Sequence, residues 1–111
     1  MDINQFLVSA LHFLSSLDFV ETVDFHTEAF ILRGKVILKK SRFLQIYFNE
    51  ITGTTAFALV EKGRRIWGID FDNIRGWHLH TLENPDSHHS IEPMTVQAII
   101  NHLSEVWLKL R

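Results

Sequence analysis

Apolar positions change their period twice along this chain, and the changes divide it into three parts. Ile3, Leu7, Ala10, Leu11, Leu14 and Leu17 recur at helical spacing, with Phe6 and Phe13 widening the stripe. Asp2 can cap this segment, Gln5 sits where a capping box needs it, and Met1 can staple against Phe6. The spacing predicts a helix ending near Leu17.

From Phe19 to Asp72 the period falls to two, which predicts strands. Phe19, Val23 and Phe25 form an imperfect first alternation, closed by His26 at the turn. In the next run Val36 and Leu38 oppose Lys35 and Lys39, Gly34 marks a bulge, and Ser41-Arg42 turns the chain. Leu44, Ile46 and Phe48 alternate with Gln45, Tyr47 and Asn49. After Thr52-Gly53, Phe57 and Leu59 oppose Ala56, Ala58 and Val60. Lys62-Gly63 is a hairpin signal, because glycine supplies the positive φ of a tight turn. Trp67, Ile69 and Phe71 then share one face, and Gly68, Asp70 and Asp72 the other.

Short turns between consecutive strands imply an antiparallel meander of about five strands. Residues 73–93 lose the periodicity and hold Gly76, Pro85 and Pro93, so an irregular loop is expected there. Thr95 caps a second helix, with Met94 and Ile99 as a staple pair. Val96, Ile99, Ile100, Leu103, Val106, Trp107 and Leu110 form its apolar stripe. The expected fold is α+β: a single domain over residues 1–111, with both helices packed on one sheet face.

Composition narrows the setting. At 111 residues, 46% hydrophobic and 22% charged, the chain has the make-up of one globular domain, and nine Phe and three Trp supply its core. There is no cysteine, which excludes disulfides and thiolate metal sites and suits a reducing compartment. No Lys or Arg precedes Arg33, unlike a secretory leader, and no apolar run approaches the roughly 20 residues of a membrane helix. A soluble, cytoplasmic protein without membrane association is expected.

The formal net charge of −2 does not advertise nucleic-acid binding, but cations gather between Arg33 and Arg42 with no acid among them. Lys35, Lys39, Lys40 and Arg42 either solvate a sheet edge or contact RNA phosphates, and the first use is the commoner.

Imidazoles are also unevenly placed. His78, His80, His88 and His89 fall within a dozen residues, near Asp70, Asp72, Glu83 and Asp86. In an extended segment His78 and His80 point to the same side, as two ligands of one metal must. Histidine near an aspartate also suits acid–base chemistry. No His-Glu-x-x-His or comparable ligand spacing accompanies them, so neither a metal site nor a cofactor is assigned from spacing. Asp72-Asn73 can simply stop a strand, or Asp72 can serve a site; for Asp70 the structural role leads. Nucleophile elbows, glycine-rich phosphate loops and dinucleotide fingerprints are absent.

Taken in order, Arg33-Gly34-Lys35-Val36, Phe43-Leu44-Gln45-Ile46, Thr55-Ala56-Phe57-Ala58, Ile69-Asp70-Phe71-Asp72-Asn73 and Ser87-His88-His89 resemble the TumE family of small bacterial and archaeal toxins of toxin–antitoxin modules. The likeness spans nearly the whole chain. Departures are Ser87 for the family's proline, Ile91 for its third loop histidine, and Asn49 or a shifted Glu50 for a strand acid. The resemblance implies a cytoplasmic protein that arrests growth when its antitoxin is absent. The antitoxin would be a small helix-turn-helix protein, and the target RNA or translation. Asp72, Asn73, His88 and His89 match the motif and are the catalytic candidates it supplies. A non-catalytic binding module of the same fold is the alternative, and a metal-dependent hydrolase the second. Homodimerisation through edges or helices is open to a small sheet domain of this kind.

Overall fold

The computed structural model describes residues 1–110. Helix α1, Ile3–Leu14, leads into strands β1 Val20–Glu28, β2 Ile31–Leu38, β3 Arg42–Asn49, β4 Thr55–Glu61, β5 Arg64–Asp72, β6 Gly76–His80 and β7 His89–Ser90, and helix α2, Val96–Lys109, follows. The strands form a single sheet in chain order, every neighbouring pair antiparallel. The α+β meander is as expected, with seven strands in place of about five.

Local chemistry explains the boundaries. The Asp2 carboxylate accepts from Gln5 N at 2.8 Å while Gln5 Oε1 accepts from Asp2 N at 2.9 Å, closing the capping box. Helix α1 stops at Leu14 and not near Leu17, because the Ser15 and Ser16 hydroxyls each donate at 2.7 Å to carbonyls of the last turn. Lys62 and Gly63 both have positive φ, the requirement of a twisted two-residue hairpin turn. Gly34 is not a bulge. It pairs regularly with Phe25, and a Cβ there would lie 2.3 Å from the Phe25 ring, so the glycine makes room for that ring. His26 lies inside β1, not at its turn, and Arg42 opens β3.

The two added strands occupy the segment expected to be irregular. Asp72 closes a turn, Gly76 takes φ +70°, and the chain returns along β5 as β6. Strand β7 is only two residues long, too short to leave any alternation in sequence.

One face of the sheet is covered. Leu32, Val36, Leu44, Phe57 and Ile69 bury themselves against Phe6, Ala10 and Leu14 of α1 and Ile99, Ile100 and Leu103 of α2. Phe6 stacks on Phe48 at 4.3 Å between centroids, and Phe19 on Trp107 at 4.2 Å. Each such side chain contributes roughly 1.5–3 kcal/mol by leaving water. No described helix is long and apolar enough to cross a membrane.

The opposite face carries no helix. Cross-strand register places its residues in rows: His26, Arg33, Tyr47, Ala56, Asp70, His78 and Ser90 in one, and Asp24, Lys35, Gln45, Ala58, Gly68 and His80 in the next. A loop before β7 folds over the β5–β6 end of this face, since the Pro85 carbonyl reaches His80.

Candidate metal centre

Register assembles the site. Asp70 faces His78 across the β5–β6 ladder, Gly68 faces His80, and His88 arrives from the segment preceding β7. The imidazole centroids are 5.2 Å apart for His78 and His80, 5.1 Å for His78 and His88, and 4.7 Å for His80 and His88. One ring nitrogen of each lies within 4.8 Å of the others. His78 and His80 are 3% and 1% exposed, whereas His88 is open to solvent. A Cβ at Gly68 would lie 2.9 Å from the Phe57 carbonyl oxygen, so the glycine is required by the neighbouring strand backbone, while the His80 ring at 3.6 Å would be in ordinary contact with it.

Hydrogen bonding decides which nitrogens are free. His78 Nδ1 lies 3.1 Å from the Gly76 carbonyl and His80 Nδ1 2.8 Å from that of Pro85. A carbonyl only accepts, so both Nδ1 atoms carry a proton. Both Nε2 atoms converge on Asp70 Oδ2, at 3.3 Å from His78 and 3.1 Å from His80. A carboxylate only accepts as well, so positive charge belongs between these atoms, either a proton on an Nε2 or a cation shared by all three. Arg65 Nη1, 3.8 Å from the same carboxylate oxygen, approaches only from one side.

Fixing Nδ1 by a backbone carbonyl while Nε2 faces a common centre is how protein frameworks hold imidazoles for a metal. Nitrogen ligands to zinc sit at about 2.0–2.1 Å, so the three ring nitrogens, within 4.8 Å of one another, would draw closer to share an ion. Asp70 Oδ2, beside the Nε2 atoms of His78 and His80, would be a fourth donor. His88 itself is capped: Arg75 Nη1 lies 2.7 Å from its Nε2, and a guanidinium only donates, so this nitrogen accepts. Lost hydration first, and then the Arg75 charge, hold the His88 pKa below its ordinary 6.5, so the ring is neutral at neutral pH. Arg75 itself is exposed.

The motif-derived candidates divide. His88 joins the cluster, while His89 pairs with Leu79 and turns toward the other side of the sheet. Asp72 Oδ1 accepts from Ile74 N at 2.9 Å and Arg75 N at 2.7 Å, and these bonds, that to Arg75 foremost, lower its pKa. Asn73 Nδ2 donates to the Thr52 carbonyl at 3.2 Å. Both therefore shape the turn that delivers Arg75 to His88.

The basic run divides as well. Lys35 is on the open face, its Nζ 4.5 Å from the Phe43 ring centre, and Lys39 and Lys40 occupy the β2–β3 turn. Arg42 points the other way. It is 5% exposed, its Nε donates to Glu61 Oε2 at 2.6 Å, and it lies over Trp107 at 5.0 Å, so it makes no phosphate-binding surface with the lysines. Sequence reasoning weighed His78 and His80 as ligands but ranked the metal-dependent hydrolase last of three readings and assigned no ligand, and it gave Asp70 a structural role. The His-x-His alternation was the available signal; the register joining it to Asp70 was not visible.

No family model, no curated protein and no solved structure matches this chain. The likeness to TumE toxins therefore rests on the order of the motifs alone.

Proposed function

We propose that this protein is a metal-dependent hydrolase of phosphate esters, with a zinc-type ion held by His78, His80, His88 and Asp70. One observation carries the reading: two buried Nε2 atoms and a carboxylate oxygen share a centre, with both Nδ1 atoms already committed to carbonyls. A cation would satisfy that arrangement, and an ion so held would lower the pKa of a bound water to near 7 and so supply a nucleophile. Arg65 and Arg75 flank the centre and supply the charge that a phosphoryl oxygen needs.

The test is hydrolysis of an activated phosphodiester by protein purified without a histidine tag. Activity should vanish on chelation, return with zinc or manganese, and be absent from His78→Ala. Turnover that persists in chelator, or in His78→Ala, would refute the reading.

A role as the toxin of a toxin–antitoxin module is the second reading. It is favoured by the link from Asp72 through Arg75 to His88, which joins the two motifs of the resemblance. On this reading the chain acts in the cytoplasm on RNA, is neutralised by a small helix-turn-helix antitoxin, and is free to pair as a homodimer. The absence of cysteine suits that compartment. Induction without the neighbouring gene should arrest growth, and His80→Ala should relieve the arrest; normal growth on induction would sink this role.

A further inference from the structure

We infer that the uncovered sheet face is the seat of a single-stranded polynucleotide, whose bases lie in the trough beside Tyr47 while its phosphates reach cations at both ends. The inference deepens the proposed hydrolase by naming its substrate class, and it rests on that reading only for what happens to the strand at the metal centre.

The trough has a volume of about 400 Å³ and sits on the open face over β1 to β4. Its floor is Ala56 and Ala58 beside Tyr47 and Gln45, and small residues continue to Gly68 on β5, where the Arg65 side chain lies between the trough and the histidines. From Tyr47 to His78 is three inter-strand steps, about 14 Å, and from Arg33 four, about 19 Å. That is longer than a single nucleotide spans and calls for a chain.

Charge is placed to match. Arg33 and Lys35 stand at one end, Arg65 and Arg75 at the other, and the floor between is neutral. Of the acids the strands place on this face, Asp24 lies 3.2 Å from His26 Nε2, Glu28 stands at the far end of β1 opposite Ile31, Asp72 is bonded into its turn, and Asp70 belongs to the histidine centre. The cations are also paired with rings: Arg33 lies 5.5 Å from the Tyr47 ring centre and Lys35 4.5 Å from that of Phe43. Arg33 lies over the Tyr47 ring, and a guanidinium layered on an aromatic ring is a platform on which an unpaired base stacks; a duplex, with its base faces hidden in the stack, cannot use it.

The test is fluorescence anisotropy of metal-free protein with a short labelled oligoribonucleotide, single-stranded and as a duplex. The single strand should bind and the duplex should not. Tyr47→Ala should weaken binding about 10-fold, as expected for one stacked base, while Tyr47→Phe restores it. Arg33→Ala should lower the slope of log affinity against log salt by about 0.7, the value for one phosphate on a single strand. Lys109→Ala, on α2, should change nothing. His80→Ala should still bind the strand without cleaving it, so failure of the hydrolase reading is distinguishable from failure of this one. Equal binding of the duplex, no binding of the single strand, or an unchanged affinity in a folded Tyr47→Ala would overturn the inference.

Discussion

Asp70 faces His78 directly across the β5–β6 ladder, its Oδ2 3.3 Å from the imidazole Nε2. Pairing across a ladder normally brings together groups that attract, and opposed groups of like polarity cost stability. Here the Nδ1 side of the ring is already spent on the Gly76 carbonyl, and the Nε2 side meets a carboxylate, which only accepts. The same holds for His80 from the neighbouring row. Such a pairing is held by something positive, a proton on the ring or a cation between the groups.

Asp70→Asn separates a metal from a proton as that positive charge. With a metal-seeking centre, the amide can donate to a neutral Nε2, so the metal-free variant should be as stable as the parent or about 1 kcal/mol more stable in urea denaturation at mildly alkaline pH. Its zinc affinity should nevertheless fall about 10- to 100-fold. Were the rings imidazolium ions held by the carboxylate, the same variant would be destabilised.

Arg75→Met should tighten zinc binding about 3- to 10-fold, because the guanidinium competes for the His88 Nε2 lone pair. Competition with a chromogenic chelator reads this directly. Weaker binding in the variant would mean that Arg75 orients His88 and does not cap it.

The pH dependence follows from the lowered pKa of His88. The folded ring takes up a proton less readily than the unfolded chain does, so its contribution to stability is present above about 6.5 and is lost as pH falls through the folded value. Zinc affinity should fall in the same direction, since ligation needs the unprotonated ring. Denaturation of metal-free protein at stepped pH, compared with His88→Gln, should show a shallower acid loss in the variant.

Arg42→Ala should cost about 1.5–3 kcal/mol, the scale expected on losing a hydrogen bond between charged groups in a part-buried pair. It should leave oligonucleotide affinity per folded molecule unchanged, whereas Lys35→Ala should lower it. Thermal melting and anisotropy on the same preparations check both statements.

How much of this was legible in sequence follows from what each feature depends on. Helices α1 and α2 rest on periodicity and local caps, so Asp2-Gln5 and Thr95 announced their starts, and the facing of Trp67, Ile69 and Phe71 followed from alternation. The Lys62-Gly63 turn followed from local backbone preference. Strands β6 and β7 did not, because one is five residues and the other two, and both are held by pairing more than by pattern. The site depends on register above all. His78 and His80 share a side by simple alternation, but only the Asp72 to Gly76 turn length sets Asp70 against them. Arg42 was misjudged for a similar reason: the sequence displays its charge, while its direction is set by the parity of β3.

The central claim is tested most directly by isothermal titration of zinc into protein made without a histidine tag and stripped of metal. A single equivalent should bind to the wild type, and the saturable heat should disappear in His80→Ala while that variant remains folded by circular dichroism. Absence of saturable binding in the wild type, or an identical isotherm in folded His80→Ala, would contradict the account.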